Sequence, residues 1–247
     1  MPASDSVRGS AHPSVHARGG RVIACLLVLG IFSSLASAQA SDEGAWTAFA
    51  GQGRLGETTS DSRWRWWFDA HARFFDDSDG FDTGIVRPGI GYDLSEHTTA
   101  WLGYAWIRND PPEGHFDEHR IWQQLTWGKR YGWGSPFLRT RLEQRFDERG
   151  GETGWRVRQF ARWTRPVSEG SRLGWRAWDE IFVDLNDTGW GQDTGLRQNR
   201  AFAGLGWALG DSSQYTLEVG YLNQHLFRED ARDDSNHVLA ITLLGNF

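Results

Sequence analysis

Arginine and glutamate recur at every second position through the second half of the chain. Arg139, Arg141, Glu143 and Arg145 fill one parity of a single stretch. Arg156, Arg158 and Arg162 do so in the next, then Arg172, Arg176, Glu180 and Asp184, then Arg200, then Glu218. Guanidinium and carboxylate groups so spaced have two chemistries open to them. Forked Arg–carboxylate hydrogen bonds can knit a closed polar network. Alternatively, surplus arginines draw an anion, as arginine rings do in pores.

Other reactive residues are sparse. Outside the first 38 residues the histidines are His71, His97, His115, His119, His225 and His237. None stands in a spacing that commits it to a serine nucleophile, so no catalytic residue is assigned. His115 and His119 flank Asp117 and Glu118, a faint metal-like cluster that a solvated loop explains better. The run Asp76–Asp82 resembles an oxygen-ligand calcium loop but lacks a bidentate acid at the right distance. No metal or cofactor is expected.

Period two is the signature of a β-strand. Trp64, Trp66, Phe68, Ala70, Ala72 and Phe74 share one parity, opposed by Arg65, Trp67, Asp69, His71 and Arg73. Leu138, Leu142 and Phe146 oppose the Arg139 set. Trp155, Val157, Ala161 and Trp163 oppose Arg156, Arg158 and Arg162. Leu173, Trp175, Ala177, Ile181 and Val183 oppose Arg176, Glu180 and Asp184. Leu205 and Trp207 lie opposite Arg200, Phe202, Gly204 and Gly206. Ten such strands fill residues 63–247. An eleventh, weaker candidate spans Ala45–Leu55. Ten strands are expected, with the Trp46 segment as an arm outside the wall; twelve is the alternative, because bacterial single-chain barrels have even numbers.

Connectors alternate between long polar ones (Asp76–Thr83, Asn109–His119, Asp147–Gly154, Asn186–Gly195, Arg228–Ser235) and tighter ones. Strands of about ten residues with long loops at one end describe a transmembrane antiparallel up-and-down β-barrel. A closed barrel leaves no backbone edge unsatisfied in lipid. A soluble sandwich or lipocalin-like barrel would alternate too. It would carry its charges outside, with lysine common. Here Lys129 is the single lysine among 26 basic residues, beside 15 tryptophans and 30 glycines. Tryptophans near strand ends are expected as interfacial girdles. Phe247 closes the last strand as an outer-membrane assembly signal.

Arg18 and Arg21 precede an apolar run from Val22 to Leu35, then Ala36-Ser37-Ala38. This is the grammar of a secretory signal peptide. Residues 1–38 are therefore expected to leave, with Ala40 as a competing site, and 39–247 to form one barrel domain. Removal takes the net charge from −6 to −8 by subtracting Arg8, Arg18, Arg21 and Asp5. An acidic chain argues against nucleic acid. Cys25, the one cysteine, departs with the leader, so no disulfide framework is expected.

Several stretches carry a family resemblance. They are Arg141-Leu142-Glu143-Gln144-Arg145-Phe146, Asp179-Glu180-Ile181-Phe182, Gln198-Asn199-Arg200 followed by Gly204-Leu205-Gly206, and Gly220-Tyr221-Leu222-Asn223-Gln224, after an opening Trp46-Thr47. In that order they resemble the bacterial outer-membrane family catalogued as domain of unknown function 2490. The resemblance covers about residues 45–247. It implies an outer-membrane barrel and brings no catalytic residues.

Inward by parity are Arg139, Arg141, Glu143, Arg145, Arg156, Arg158, Arg162, Arg176, Glu180, Asp184, Arg200 and Glu218. One consistent register sets Arg145 opposite Arg156 and Glu143 opposite Arg158, with Glu143 the near acid for all three cations. Another sets Glu180 opposite Arg200. A serine at the inward Gly204 is expected to be mild. Three functions follow: a structural or accessory barrel with a filled charged interior, a narrow pore for small anions or sugar acids, and a barrel-borne lipid-modifying enzyme. The first is expected. Partners would be outer-membrane lipid and lipopolysaccharide, and the secretion and barrel-assembly machinery during biogenesis.

Overall fold

A computed structural model describes residues 43–56, 62–75, 80–111, 114–210, 214–228 and 232–247. The expected leader, residues 1–38, and residues 76–79 of the acidic run lie outside them. The described residues form eleven strands: β1 (Glu43–Arg54), β2 (Trp64–Phe75), β3 (Gly80–Asp93), β4 (Thr98–Asn109), β5 (Phe116–Gly128), β6 (Ser135–Asp147), β7 (Thr153–Pro166), β8 (Leu173–Asp184), β9 (Gly195–Leu209), β10 (Tyr215–Leu226) and β11 (Asp234–Asn246). Each pairs with its sequence neighbours, and β1 pairs with β11 to close a barrel.

The count is eleven, neither ten nor twelve. The Trp46 segment is a wall strand, not an outside arm. Its signal is weak because the sequence EGAWTAFAGQGR is mostly small residues. Without it, β2 and β11 would each present a row of unpaired backbone groups. Thr47 instead stands between Ala72 on β2 and Ile241 on β11. Successive hairpins reverse the chain each time, so the first and eleventh strands run the same way. The β1–β11 seam is therefore parallel, and every other pair is antiparallel.

The contrast of long and short connectors also shrinks. Thr83, Phe116–His119 and Thr153 are paired strand residues. The longest connector of the described set, 185–194, stays on the expected end. The connector 55–63 is on the other end, which also carries Phe247. Phe247 is tied there: its N–H donates to the Gln52 carbonyl at 2.9 Å. Its ring packs against Trp66 and Tyr215.

The apolar parity faces out. Trp175 is 52% exposed and Leu239 53%, whereas Arg141 and Glu143 are 0% exposed. Polar groups on the outer face satisfy one another in pairs. Gln123 and Gln144 exchange two hydrogen bonds, Thr140 donates to Gln159, and Asn199 donates to Asp179.

Two apolar clusters line the inner face. Trp46, Phe202, Leu222, Val238 and Ala240 form one, with Phe75 and Trp178 against it. Ile85, Trp101, Ala105, Ile107 and Trp122 form the other, with Trp67 against it. Trp46, Trp67, Trp101, Trp122 and Trp178 are thus interior. Inward glycines make the room. A Cβ at Gly103 would lie 2.1 Å from the Trp122 ring, and one at Gly89 2.5 Å from it. Gly204 faces Gly220 across β9–β10, and a Cβ there would lie 2.4 Å from the Val219 carbonyl and 2.7 Å from the Phe202 ring. A serine at Gly204 is therefore not mild: the two glycines let backbone and the Phe202 ring share one space.

Candidate functional site

The interior between β5 and β8 is a continuous ion-pair network. Its positions follow from strand parity: each contributing strand turns its charged side toward the barrel axis. Glu118 accepts from Arg120 at 2.7 and 2.8 Å and from Arg145 at 2.6 and 3.1 Å. Arg120 passes to Glu143 at 3.2 Å, and Glu143 accepts from Arg158 at 2.8 Å. Arg158 forks onto Glu180 at 2.9 and 3.0 Å, which also accepts from Arg139 at 2.6 Å. Asp184 takes a fork from Arg156 and lies 3.9 Å from Arg145, extending the chain beyond Glu118.

Arg141 sits deepest. Its Nε donates to Gln124 at 2.8 Å, and its guanidinium lies 4.6 Å from the Trp122 ring centre and 3.7 Å from Glu143. Two expected residues stand apart as a looser pair, Arg176 and Glu218 at 3.7 Å. Arg162 lies over Phe137 at 5.0 Å. Arg200 has no carboxylate within ion-pair distance among the described residues. It lies over Phe182 at 4.5 Å and Trp46 at 4.8 Å. Arg172 falls in the connector before β8.

The β6–β7 register differs from the expected one. Glu143 stands opposite Arg156, Arg141 opposite Arg158 and Arg145 opposite Gly154. Asp147 tightens the turn by accepting from the Arg149 amide at 3.0 Å and its guanidinium at 2.8 Å. That advances the pairing by two residues. Glu143 still reaches Arg158, diagonally. Nor is Glu143 the one acid near the three cations: Arg145 has Glu118, Arg156 has Asp184 and Arg158 has Glu180. The Glu180–Arg200 register is as expected, though they do not form an ion pair.

Sequence reading missed Glu118, Arg120, Gln124 and Arg87 as interior groups, whereas Asp69 already stood on the polar parity of its strand. Asp69 lies 3.1 Å from Arg87 and also bonds His71 and Trp67. The alternation of Glu118, Arg120, Trp122, Gln124 and Thr126 carried the signal. It was hidden by assigning 109–119 to a loop. The faint histidine–acid cluster there dissolves, because Glu118 is buried inside while His119 is outside, stacked on Tyr104.

At the rim, the Thr194 amide and hydroxyl hold the Asp187 carboxyl below the usual carboxylate range. Gln192 reaches in from that connector to accept from Arg145 at 2.9 Å. Two cavities lie at opposite ends and share no lining residue. One, of about 440 Å³, is lined by Arg65, Asp93 and His97 among others, near Phe247's end. The other, of about 290 Å³, is lined by Thr83, Asn109, Gln198 and Leu226 among others.

These features define a closed β-barrel with an apolar outer face and an ion-paired interior. The chain belongs to the family described as Protein of unknown function (DUF2490), whose pattern matches residues 43–236. It is also similar to an uncharacterized protein of Methylorubrum extorquens. That relative is 32% identical over 168 residues, covering 66% of this chain and 72% of the relative. No solved structure matches the chain.

Proposed function

We propose that this protein is an outer-membrane barrel closed by its own side chains, serving a structural or accessory role and no catalytic one. The observation that carries the reading is the inversion of faces. The exposed wall bears Leu102, Leu125, Leu205, Val219, Leu239 and Ile241, while the interior holds the ion pairs. Water would penalise so much exposed apolar surface, whereas lipid makes it ordinary. Aromatics gather at both rims, Trp64 with Tyr92 at one and Phe74 with Phe81 at the other, as interfacial girdles do. A leader ending near Ala38 and contact with lipid and lipopolysaccharide complete the proposal.

A closed lumen follows from Trp122, Arg141 and Glu143 filling the middle with no exposed surface. The test pairs cell fractionation with planar-bilayer recording of the refolded barrel. The proposal predicts outer-membrane recovery, heat-modifiable migration and no conductance. Recovery as a soluble periplasmic species would overturn the location. A steady anion-selective current would replace the closed barrel with a pore, and lipid turnover would replace it with an enzyme.

A further inference from the structure

The smaller cavity has a wall unlike the rest of the interior. Seven arginines of the strands, Arg73, Arg87, Arg120, Arg156, Arg158, Arg197 and Arg200, line it, and no aspartate or glutamate does. Five of the seven turn to carboxylates elsewhere: Arg87 to Asp69, Arg120 to Glu118 and Glu143, Arg156 to Asp184, Arg158 to Glu143 and Glu180, and Arg197 to Asp193. Arg73 and Arg200 have no carboxylate within ion-pair distance among the described residues. They lie instead against one indole, that of Trp46, at 4.3 and 4.8 Å. Arg200 is 8% exposed, and the Nε atoms of Arg73, Arg87 and Arg200 are buried without a hydrogen-bond partner.

A buried guanidinium without a counter-charge is costly, and ring contacts offset part of that cost. Two such cations sharing one ring, beside a cavity of about 290 Å³ with no acid in its wall, lack an anion. The two irregularities in strand pairing fall here as well, between Arg73 and Phe74 and between Phe182 and Val183. Bulges of this kind re-aim side chains beside functional sites.

We propose that this cavity binds a phosphoryl group, held between Arg73 and Arg200, on a small hydroxyl-bearing molecule. Arginine forks match phosphate oxygens bidentately. Thr83, Asn109, Gln198 and Gln224 also line the cavity, and their hydroxyl and amide groups suit a polyhydroxylated remainder. About 290 Å³ exceeds one bare phosphate and accommodates a phosphorylated sugar. The site is a blind pocket, and it stands on the closed barrel, independent of which membrane holds it.

The test uses the folded full barrel in detergent, titrated at constant ionic strength with inorganic phosphate, glucose 6-phosphate and glucose. Saturable binding of both phosphates and none of glucose is expected. Arg73→Gln and Arg200→Gln should each weaken binding at least tenfold. Arg63→Gln, at the far cavity, should leave it unchanged. A readout free of variants is arginine modification by phenylglyoxal: glucose 6-phosphate should protect Arg73 and Arg200 in the wild-type protein. Absence of saturable phosphate binding, equal binding in both glutamine variants, or unprotected Arg73 and Arg200 would each overturn the site. A conducting lumen with intact phosphate binding would overturn the closed barrel alone. Protection by a lipid-borne phosphate but by neither soluble probe would overturn the proposed metabolite site and point to a lipid headgroup.

Discussion

At the residue scale, Glu143 is the junction of the interior. It is fully buried and meets Arg158, Arg120 and Arg141 at 2.8, 3.2 and 3.7 Å. A buried ion pair adds little net stability over an apolar replacement, but removing one partner strands the other. Glu143→Gln is expected to cost about 3–5 kcal/mol, read from urea unfolding of the refolded barrel. A change below about 1 kcal/mol, the value of exposed pairs, would mean that water fills the interior. The type of each interior residue was legible, because parity separates Arg139, Arg141, Glu143 and Arg145 from Leu138 and Leu142 without any coordinates. Which carboxylate meets which guanidinium was not. That depends on a two-residue shift at Asp147 and on Glu118 arriving from the preceding strand, neither of which a local pattern encodes.

At the element scale, β1 decides whether the wall closes. Periodicity found ten strands readily because their outer faces carry large apolar side chains. It gave β1 less weight because a strand of alanine and glycine has little contrast between its faces. Its place is fixed by what its neighbours lack, a backbone partner on β2 and another on β11, which is a tertiary requirement. The parallel seam makes a specific prediction. Thr47 and Ile241 are register partners on the outer face, within the reach of a disulfide. The double variant Thr47→Cys, Ile241→Cys, in a chain whose single cysteine is Cys25, should oxidise quantitatively in the folded barrel. An arm outside the wall would leave both thiols free. Pairs shifted by two residues, such as Thr47→Cys with Leu243→Cys, should link poorly.

At the scale of the whole molecule, fold class and membership of the family were readable from the sequence, since both rest on order and alternation along the chain. The interior aromatics were not. Trp122 lies across Gly89 and Gly103 because two glycines on neighbouring strands vacate the same level, a coincidence visible only once β3, β4 and β5 are in register. With those rings in place, the barrel's middle is occupied and its ion-pair network is confined inside, leaving the apolar wall as the surface that meets the surroundings. The most direct test of that inversion puts a nitroxide on single cysteines at Val157, Leu205 and Leu239 in barrels refolded into lipid vesicles, and compares relaxation by oxygen with relaxation by a water-soluble nickel chelate. Oxygen, which concentrates in lipid, should dominate at all three positions. Dominance of the nickel chelate would mean that the apolar parity faces water, contradicting the account.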